Sequence, residues 1–387
     1  MKFPLFKAQV NDVEALRLIG DVFRSGFINE GEAVTQLTNE LRAMLRADNL
    51  ILLNSCTSAL TLALKLSGVT PNDDVVTTPM TCVATNTPII NLGADIVWAD
   101  VNPLNGMVYV TDVAQRITKA TKAVIAVAWA GTPPPGLDEL YALCKSKKVK
   151  LILDAAHAFD AYYAGRPIHE FADFTCYSFQ AIKHFTTGDG GALICKSNAV
   201  YKRSKALKWF GLDRDKAKDA KGDWKGQQWD VDIVEAGYKF NMNNMAAAVG
   251  LANIKNVQVN LAKHRRNASF YDAFFEHDQN VTPALKDEKS YSSHWVYTMT
   301  FTDESLHDAK EKRDGLLAKL NAEGIQAGLV HVPNDSYSCF SKYRSFLPGV
   351  QSFASRQFSL PCGPWMSIKD VEYVARKVQE LTHVCTT

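Results

Sequence analysis

Apolar residues recur along this chain on two periods, one helical and one of continuous short runs. Asp12–Phe23 and Ala33–Ala47 carry apolar positions at helical spacing, with the loop Ser25–Gly31 between them. The run Leu50-Ile-Leu-Leu-Asn54 is of strand length, and the helical pattern Ala59–Leu66 follows it. Further apolar runs, rich in β-branched residues, lie at Asp74–Pro79, Ile96–Asp100, Ala123–Val127, Val149–Leu153, Phe174–Tyr177 and Ala192–Cys195. Helical patterns such as Thr111–Thr118 and Leu137–Ser146 fall between them. This alternation predicts an α/β fold with a mostly parallel sheet and helices on both of its faces. Beyond Lys196 the pattern changes. Tyr201–Trp209 is a basic helix face, and 213–232 is a charged excursion carrying Trp224 and Trp229, read either as a segment beside the site or as a solvated loop. Met245–Ile254 and Ile254–Phe275 are helical, the latter long enough to connect two domains. A strand at Trp295–Phe301 and helices at Ala309–Glu323 and Ile368–Leu381 complete the chain. The length of 387 residues suggests two or three domains, with the division expected at 1–244 and 245–387.

Two of the strand runs end in unusual polar stretches. Val149–Leu153 leads into Asp154-Ala-Ala-His157, and Phe174–Tyr177 leads into Ser178-Phe-Gln-Ala-Ile-Lys183-His-Phe-Thr-Thr-Gly-Asp-Gly-Gly191. The closing Gly-Asp-Gly-Gly does not continue a helix, so Lys183 is held on a loop between two strands, with Asp154 at a neighbouring strand end. Ligands of open α/β sheets collect at the carboxyl ends of the strands. A lysine beside a buried carboxylate is what pyridoxal phosphate requires: an amine for the Schiff base and an acid partner for the pyridine nitrogen. Ser55-Cys-Thr-Ser58, between a strand and a helix N-terminus, is either an anion cradle or simply a helix cap.

Composition narrows the remaining classes. Hydrophobic residues are 47% and charged residues 22%, ordinary for a core-forming soluble chain, and the net charge of +2 gives no reason to expect nucleic acid or a membrane as partner. The eight cysteines form no C-x-x-C pair, and the histidines show no ligand spacing, so no metal site is expected. Scattered thiols and an N-terminus without an apolar core of signal length point to a cytoplasmic protein.

Five segments in order, Asn54-Ser-Cys-Thr-Ser-Ala-Leu60, Asp154-Ala-Ala-His157, Ser178–Gly191, Gly237-Tyr-Lys-Phe-Asn-Met242 and Phe358-Ser-Leu-Pro361, resemble the sugar-nucleotide aminotransferases of the DegT/StrS group over nearly the whole length. The resemblance implies the fold-type I arrangement, a large domain with a seven-stranded-type sheet and a smaller α+β C-terminal domain. It implies that Lys183 holds the cofactor and acts as the proton-transferring base, and that Asp154 pairs with the pyridinium nitrogen. By the same resemblance Thr57, Ser58 and Ser178 bind the phosphate, completed by Asn241 from the other subunit of a homodimer. His157 would lie near the phenolic oxygen or pack beside the site, and Asn241 has the alternative of ending a strand.

Two positions depart from the family pattern. Cys82 stands where the family usually has an aromatic residue stacked on the cofactor ring. The histidine often found after the proline of the C-terminal loop is absent, which leaves His331, Asn334 and Asp335, with His184, as candidate substrate contacts. The implied reaction passes an amino group from L-glutamate, released as 2-oxoglutarate, through pyridoxamine phosphate to a nucleotide-linked keto-deoxy sugar. The ketone at carbon 4 is the first expectation and carbon 3 the second. A sugar dehydratase, in which histidine replaces the lysine, and a non-catalytic homologue are the alternatives.

Overall fold

The structure, a computed structural model, describes residues 2–213, 231–303 and 305–383. Most of the excursion expected at 213–232, with Trp224 and Trp229, lies outside the described residues. Helix α1 (Asp12–Ser25) starts where the Asn11 side chain accepts from the Glu14 amide, and it stops at Gly26, whose φ of 68° admits the left-handed turn. Helix α2 (Glu32–Leu45) buries Val34, Leu37, Leu41 and Leu45, one residue per turn on a single face.

Then the alternation begins: β1 (Leu50–Leu53), α3 (Cys56–Leu66), β2 (Asp74–Thr77), α4 (Val83–Asn91), β3 (Asp95–Trp98), α5 (Val110–Arg116), β4 (Thr121–Val127), α6 (Leu137–Lys147) and β5 (Lys150–Asp154). A small ribbon of β6 (Tyr162–Tyr163) and β7 (Arg166–Pro167) precedes β8 (Phe174–Ser178), β9 (Gly191–Cys195) and α7 (Asn198–Leu207). The large sheet has seven strands in the order β1-β9-β8-β5-β4-β2-β3. The pairs β3–β2, β2–β4, β4–β5 and β5–β8 are parallel, whereas β9 runs antiparallel to both β8 and β1. Residues of β1, β8 and β9 are buried throughout, in keeping with the apolar runs of β1 and β9 and with a β8 that carries polar side chains at Thr175 and Ser178.

The C-terminal part contributes α8 (Asn244–Asn253), α9 (Val257–Phe274), β10 (Val281–Pro283), β11 (Ser290–Tyr291), β12 (Tyr297–Phe301), α10 (Leu306–Ala322), α11 (Pro348–Arg356), β13 (Gln357–Leu360) and α12 (Ile368–His383). A second sheet, β10-β12-β13, is antiparallel, and β11 joins the ribbon of β6 and β7. Trp295 is expected from the apolar run to be the first residue of a strand. In the structure β12 begins at Tyr297, and Trp295 sits before it, turned toward the sheet of the N-terminal part.

Two apolar clusters hold these layers. The larger surrounds the seven-stranded sheet and includes Val257, Leu261, Trp295, Phe340 and Phe353 from the C-terminal part. The smaller gathers Ala268, Tyr271, Tyr297, Met299, Phe358, Val371 and Val378. Helix α9 enters both clusters, its first half packing with the large one and its second half with the small one. Among the described residues no helix is long and apolar enough to cross a membrane.

Candidate active site

The site forms where β5 and β8 end and α3 begins. Asp154 is the last residue of β5 and is buried, with 4% of its surface exposed. Its Oδ2 accepts from Thr85 Oγ1 at 2.7 Å, and its Oδ1 accepts from the Ala156 amide at 3.0 Å. Thr85 is itself fixed by a 2.9 Å hydroxyl pair with Thr81. Burial pushes the Asp154 carboxyl above its ordinary range; the Thr85 hydroxyl, the Ala156 amide and the Lys183 charge oppose that rise. Thr85, on the first turn of α4, carries no motif signature and is not singled out by the sequence; only its packing beside β5 reveals it.

Lys183 lies on the loop between β8 and β9. That loop is a tied hairpin: the Phe179 amide donates to Gly190 O, the Thr187 amide to Phe179 O and the Lys183 amide to Gln180 O. Burial pushes the Lys183 amine down to about 8, against the opposing influence of Cys82, Asp154 and Cys56. The Lys183 Nζ stands 3.5 Å from the ring centroid of Trp295. The indole N–H of Trp295 donates to Ile182 O at 2.8 Å. His157 stacks on Trp295 with centroids 4.0 Å apart and 23° between planes. His331 stacks in turn at 5.4 Å from His157.

At the opposite margin stands the N-terminus of α3. Ser55 caps it, accepting from the Ser58 amide at 3.0 Å. Ser58 Oγ donates to Asn54 Oδ1 at 2.6 Å, and Thr57 is half-buried in the first turn. The amides of Cys56 and Thr57 have no acceptor within the helix, by the geometry of any helix start. Ser178 ends β8 directly opposite Gly191 in the β8–β9 register. A Cβ on Gly191 would lie 2.5 Å from Cys56 N and from Ser55 C, so only glycine lets β9 pass beneath this turn. Of the two sequence alternatives for Ser55–Ser58 the cap is observed, Ser55 accepting from the Ser58 amide, and the turn it caps lies against Gly191, which pairs with Ser178 at the end of β8.

The other expected site residues fall in different places. Cys82 is the residue before α4, half-buried, and faces the Lys183 amine. Asn241 bridges to Leu53, and its Oδ1 accepts from Lys239 Nζ at 2.6 Å. His331 is held in its neutral form, burial taking its imidazole down to about 3, and its Nε2 is buried without a hydrogen-bond partner. Asp335 is partly buried, and burial raises its carboxyl. Asn334 and His184 are both held by protein partners. The Asn334 amide accepts from Asn86 and donates to Thr81 O, each at 2.8 Å, binding its loop to the turn before α4. His184 Nε2 lies 3.0 Å from Ser293 O, with its ring edge-on to His264. Of the basic residues after the site, Arg203 is spent on Glu235, at 2.8 and 2.6 Å, and Arg214 lies outside the described residues.

This arrangement fits a phosphorylated pyridine aldehyde. His157 Nδ1, like His331 Nε2, is a buried polar atom with no protein partner, near the Lys183 amine. A phenolic oxygen would satisfy such an atom, Asp154 would receive a protonated ring nitrogen, and the α3 turn would receive a phosphate.

The chain is similar to known proteins along nearly its whole length. A UDP-4-amino-4-deoxy-L-arabinose–oxoglutarate aminotransferase of Shewanella sediminis is 30% identical over 379 residues, covering 96% of each chain. The sugar aminotransferase CalS13 of Micromonospora echinospora superposes with a TM-score of 0.89 at 29% identity, covering 98% of this chain and 99% of that one. The Spr1654 protein of Streptococcus pneumoniae, solved in its PLP form, superposes with a TM-score of 0.89 at 25% identity, covering all of both chains. A profile of the DegT/DnrJ/EryC1/StrS aminotransferase family matches residues 9–379, and the chain belongs to that family.

Proposed function

We propose that this aminotransferase uses pyridoxal phosphate to move an amino group from L-glutamate to a nucleotide-linked keto-deoxy sugar, with the ketone at carbon 4. The observation that carries the reading is an amine and a buried carboxylate brought to one site, Lys183 from the loop after β8, lowered to about 8 by burial, and Asp154 from the end of β5, braced by Thr85. The Shewanella relative is named for a UDP-linked sugar aminated at carbon 4, which supports that position and a nucleotide carrier.

When bound, the cofactor supplies the electron sink for carbon–hydrogen bond cleavage. The chain's own residues supply the rest. Asp154 would face the ring nitrogen and hold its proton in place. Lys183, with an amine that gives up its proton near neutral pH, is suited to take and return a proton at the substrate carbon. The α3 turn with Ser58, Thr57 and Ser178 would hold the phosphate, and His157, stacked on Trp295, would border the ring. Retention of Lys183 argues against the sugar dehydratase reading, and the intact pair argues against a non-catalytic homologue.

A homodimer is part of the proposal. Helix α1 and the loop after it expose Val13 (77%), Leu16 (71%), Phe23 (55%) and Phe27 (59%) to solvent. Beside them a groove of about 460 Å³, lined by Ile19, Met242, Met245 and Val249, runs to Asn54 and Thr187 at the rim of the site. A second copy seated there would bring its own Asn241 region toward the phosphate turn.

The test is a visible spectrum of the purified protein with pyridoxal phosphate, followed through addition of L-glutamate and then of nucleotide-linked keto sugars carrying the ketone at carbon 4 or carbon 3. A band that bleaches with glutamate and returns with a 4-keto sugar is the expected result. Return only with a 3-keto sugar would move the acceptor carbon, and no band after cofactor addition would overturn the reading of Lys183 and Asp154.

A further inference from the structure

Trp295 is the aromatic residue in closest association with Lys183, and the association is double. Its indole N–H holds the carbonyl of Ile182, the residue before the lysine, while its ring receives the lysine Nζ at 3.5 Å. The loop backbone and the amine at the end of the side chain are therefore fixed by one side chain from 113 residues further along the chain. Trp295 is itself immobilised. It is 4% exposed and stacks with Phe6 at 4.6 Å and with His157 at 4.0 Å. Its flanking residues are anchored too, since the Trp295 amide donates to Ala130 O and the Ser293 amide to Gly131 O.

From this geometry we propose that Trp295 is a positioning residue that seats the free amine of Lys183, the state the lysine occupies whenever the cofactor carries the amino group. A buried ammonium with no anion in contact is costly, and an aromatic face offers electrostatic compensation without a competing charge that would trap the proton. The groups facing this amine are Cys82 from the turn before α4, Asp154 from β5 and Cys56 from α3, with His157, His184 and His331 around it. Burial above all, with the Lys183 charge, holds all three imidazoles neutral at neutral pH, so none adds a positive charge against the amine. The indole thereby keeps the amine within its pocket, in one position, between proton transfers. The proposal rests on the reading of Lys183 as the cofactor lysine, but its test addresses the lysine itself.

The experiment uses cofactor-free protein and a small amine acylating reagent, with the extent of Lys183 modification read by mass spectrometry across pH 5.5 to 10. Three proteins are compared: the unaltered chain, Trp295→Leu, and the chain with tetrafluorotryptophan at position 295, which keeps the shape but removes the negative ring face. Loss of the ring's compensation favours the neutral amine. The labelling profile of both variants should then shift toward lower pH by about one pH unit, seen as about tenfold faster modification at pH 6. Profiles that superimpose on that of the unaltered chain would overturn the proposal and leave Trp295 a packing residue. The fluorinated protein decides the matter if Trp295→Leu does not fold. Pyridoxal phosphate added to the unaltered chain should block modification of Lys183. Failure to block would overturn the cofactor reading, and the profile shift would still decide whether the indole seats the amine.

Discussion

Replacing Lys183 by methionine should stabilise the cofactor-free protein, although it destroys the proposed activity. The lysine amine falls from its ordinary 10.5 to about 8 on folding, because burial penalises its charge. At about 1.36 kcal/mol for each pH unit, that fall costs the folded state about 3.4 kcal/mol wherever the lysine is charged in both states. Lys183 retains part of its surface in contact with solvent, so a discounted figure of about 2 kcal/mol is the expectation. The direction follows from proton counting. Between about pH 8 and pH 10.5 the unfolded chain binds more protons at this group than the folded one, so the penalty is present in full below pH 8 and is relieved as pH rises through that window. Buried thiols such as Cys56 and Cys176, raised by burial, act oppositely above pH 9, and so the unaltered protein alone does not report the lysine. The difference between Lys183→Met and the unaltered chain does. Urea unfolding of both proteins without cofactor, at one protein concentration and at pH 6.5 to 10.5, should show a stability advantage for the variant that shrinks by about 2 kcal/mol across the upper half of the range. A difference that stays level from pH 8 to pH 10.5 would refute the reasoning, since methionine packing contributes only a constant offset.

The neighbouring groups give further tests. Asp154→Asn should leave pyridoxal phosphate bound while lowering transamination by about a hundredfold or more, because an amide does not stabilise a protonated ring nitrogen; near-normal turnover in a coupled 2-oxoglutarate assay would remove the pairing. Thr85→Val deletes the hydroxyl that donates to Asp154 Oδ2 and should cost about 1–3 kcal/mol in urea unfolding, with a measurable loss of activity. Gly191→Ala drives a Cβ into the backbone of Ser55 and Cys56, so cofactor affinity measured by absorbance titration should fall, with stability lowered by about 1–3 kcal/mol. Asn241→Ala should weaken cofactor retention on gel filtration if a second subunit completes the phosphate site, and unchanged retention would return Asn241 to the bridge beside Leu53.

What the sequence made legible was whatever depends on local pattern. Asp154 and Lys183 could be placed at strand ends because an unbroken apolar run followed by a polar, glycine-rich turn has few other solutions. The direction of β9 was not legible, since Gly191–Cys195 shows the same unbroken burial as β8, which pairs in parallel with β5. Helix α4 resists a pattern reading because it carries Pro88 inside it and little amphipathic contrast. Strand β13 was visible only as the short motif Phe358–Pro361, and α11 not at all. The harder omissions are contacts between distant segments. Thr85 meets Asp154 across 69 residues and Trp295 meets Ile182 across 113, and neither carries a local signature. Asn334, expected among the substrate contacts because its loop departs from the family pattern, also ties two distant loops together through Asn86 and Thr81, a role with no local signature either.

The reversed strand has a consequence for the order in which the site assembles. A parallel return from β8 would carry the connecting chain back along the whole strand, over one face of the sheet, before any pairing could begin. Because β9 turns back directly, the lysine loop closes over a short contour, through bonds between residues no more than about a dozen apart such as Phe179 and Gly190. The chain entropy lost in that closure is small beside that of bringing Trp295 to Ile182. The hairpin that carries the lysine is thus cheap to form early in folding, while the indole that fixes it and the threonine that braces its carboxylate partner must wait for contacts over long stretches of chain. Reactive amine and finished pocket arrive separately, and the chain closes the pocket last.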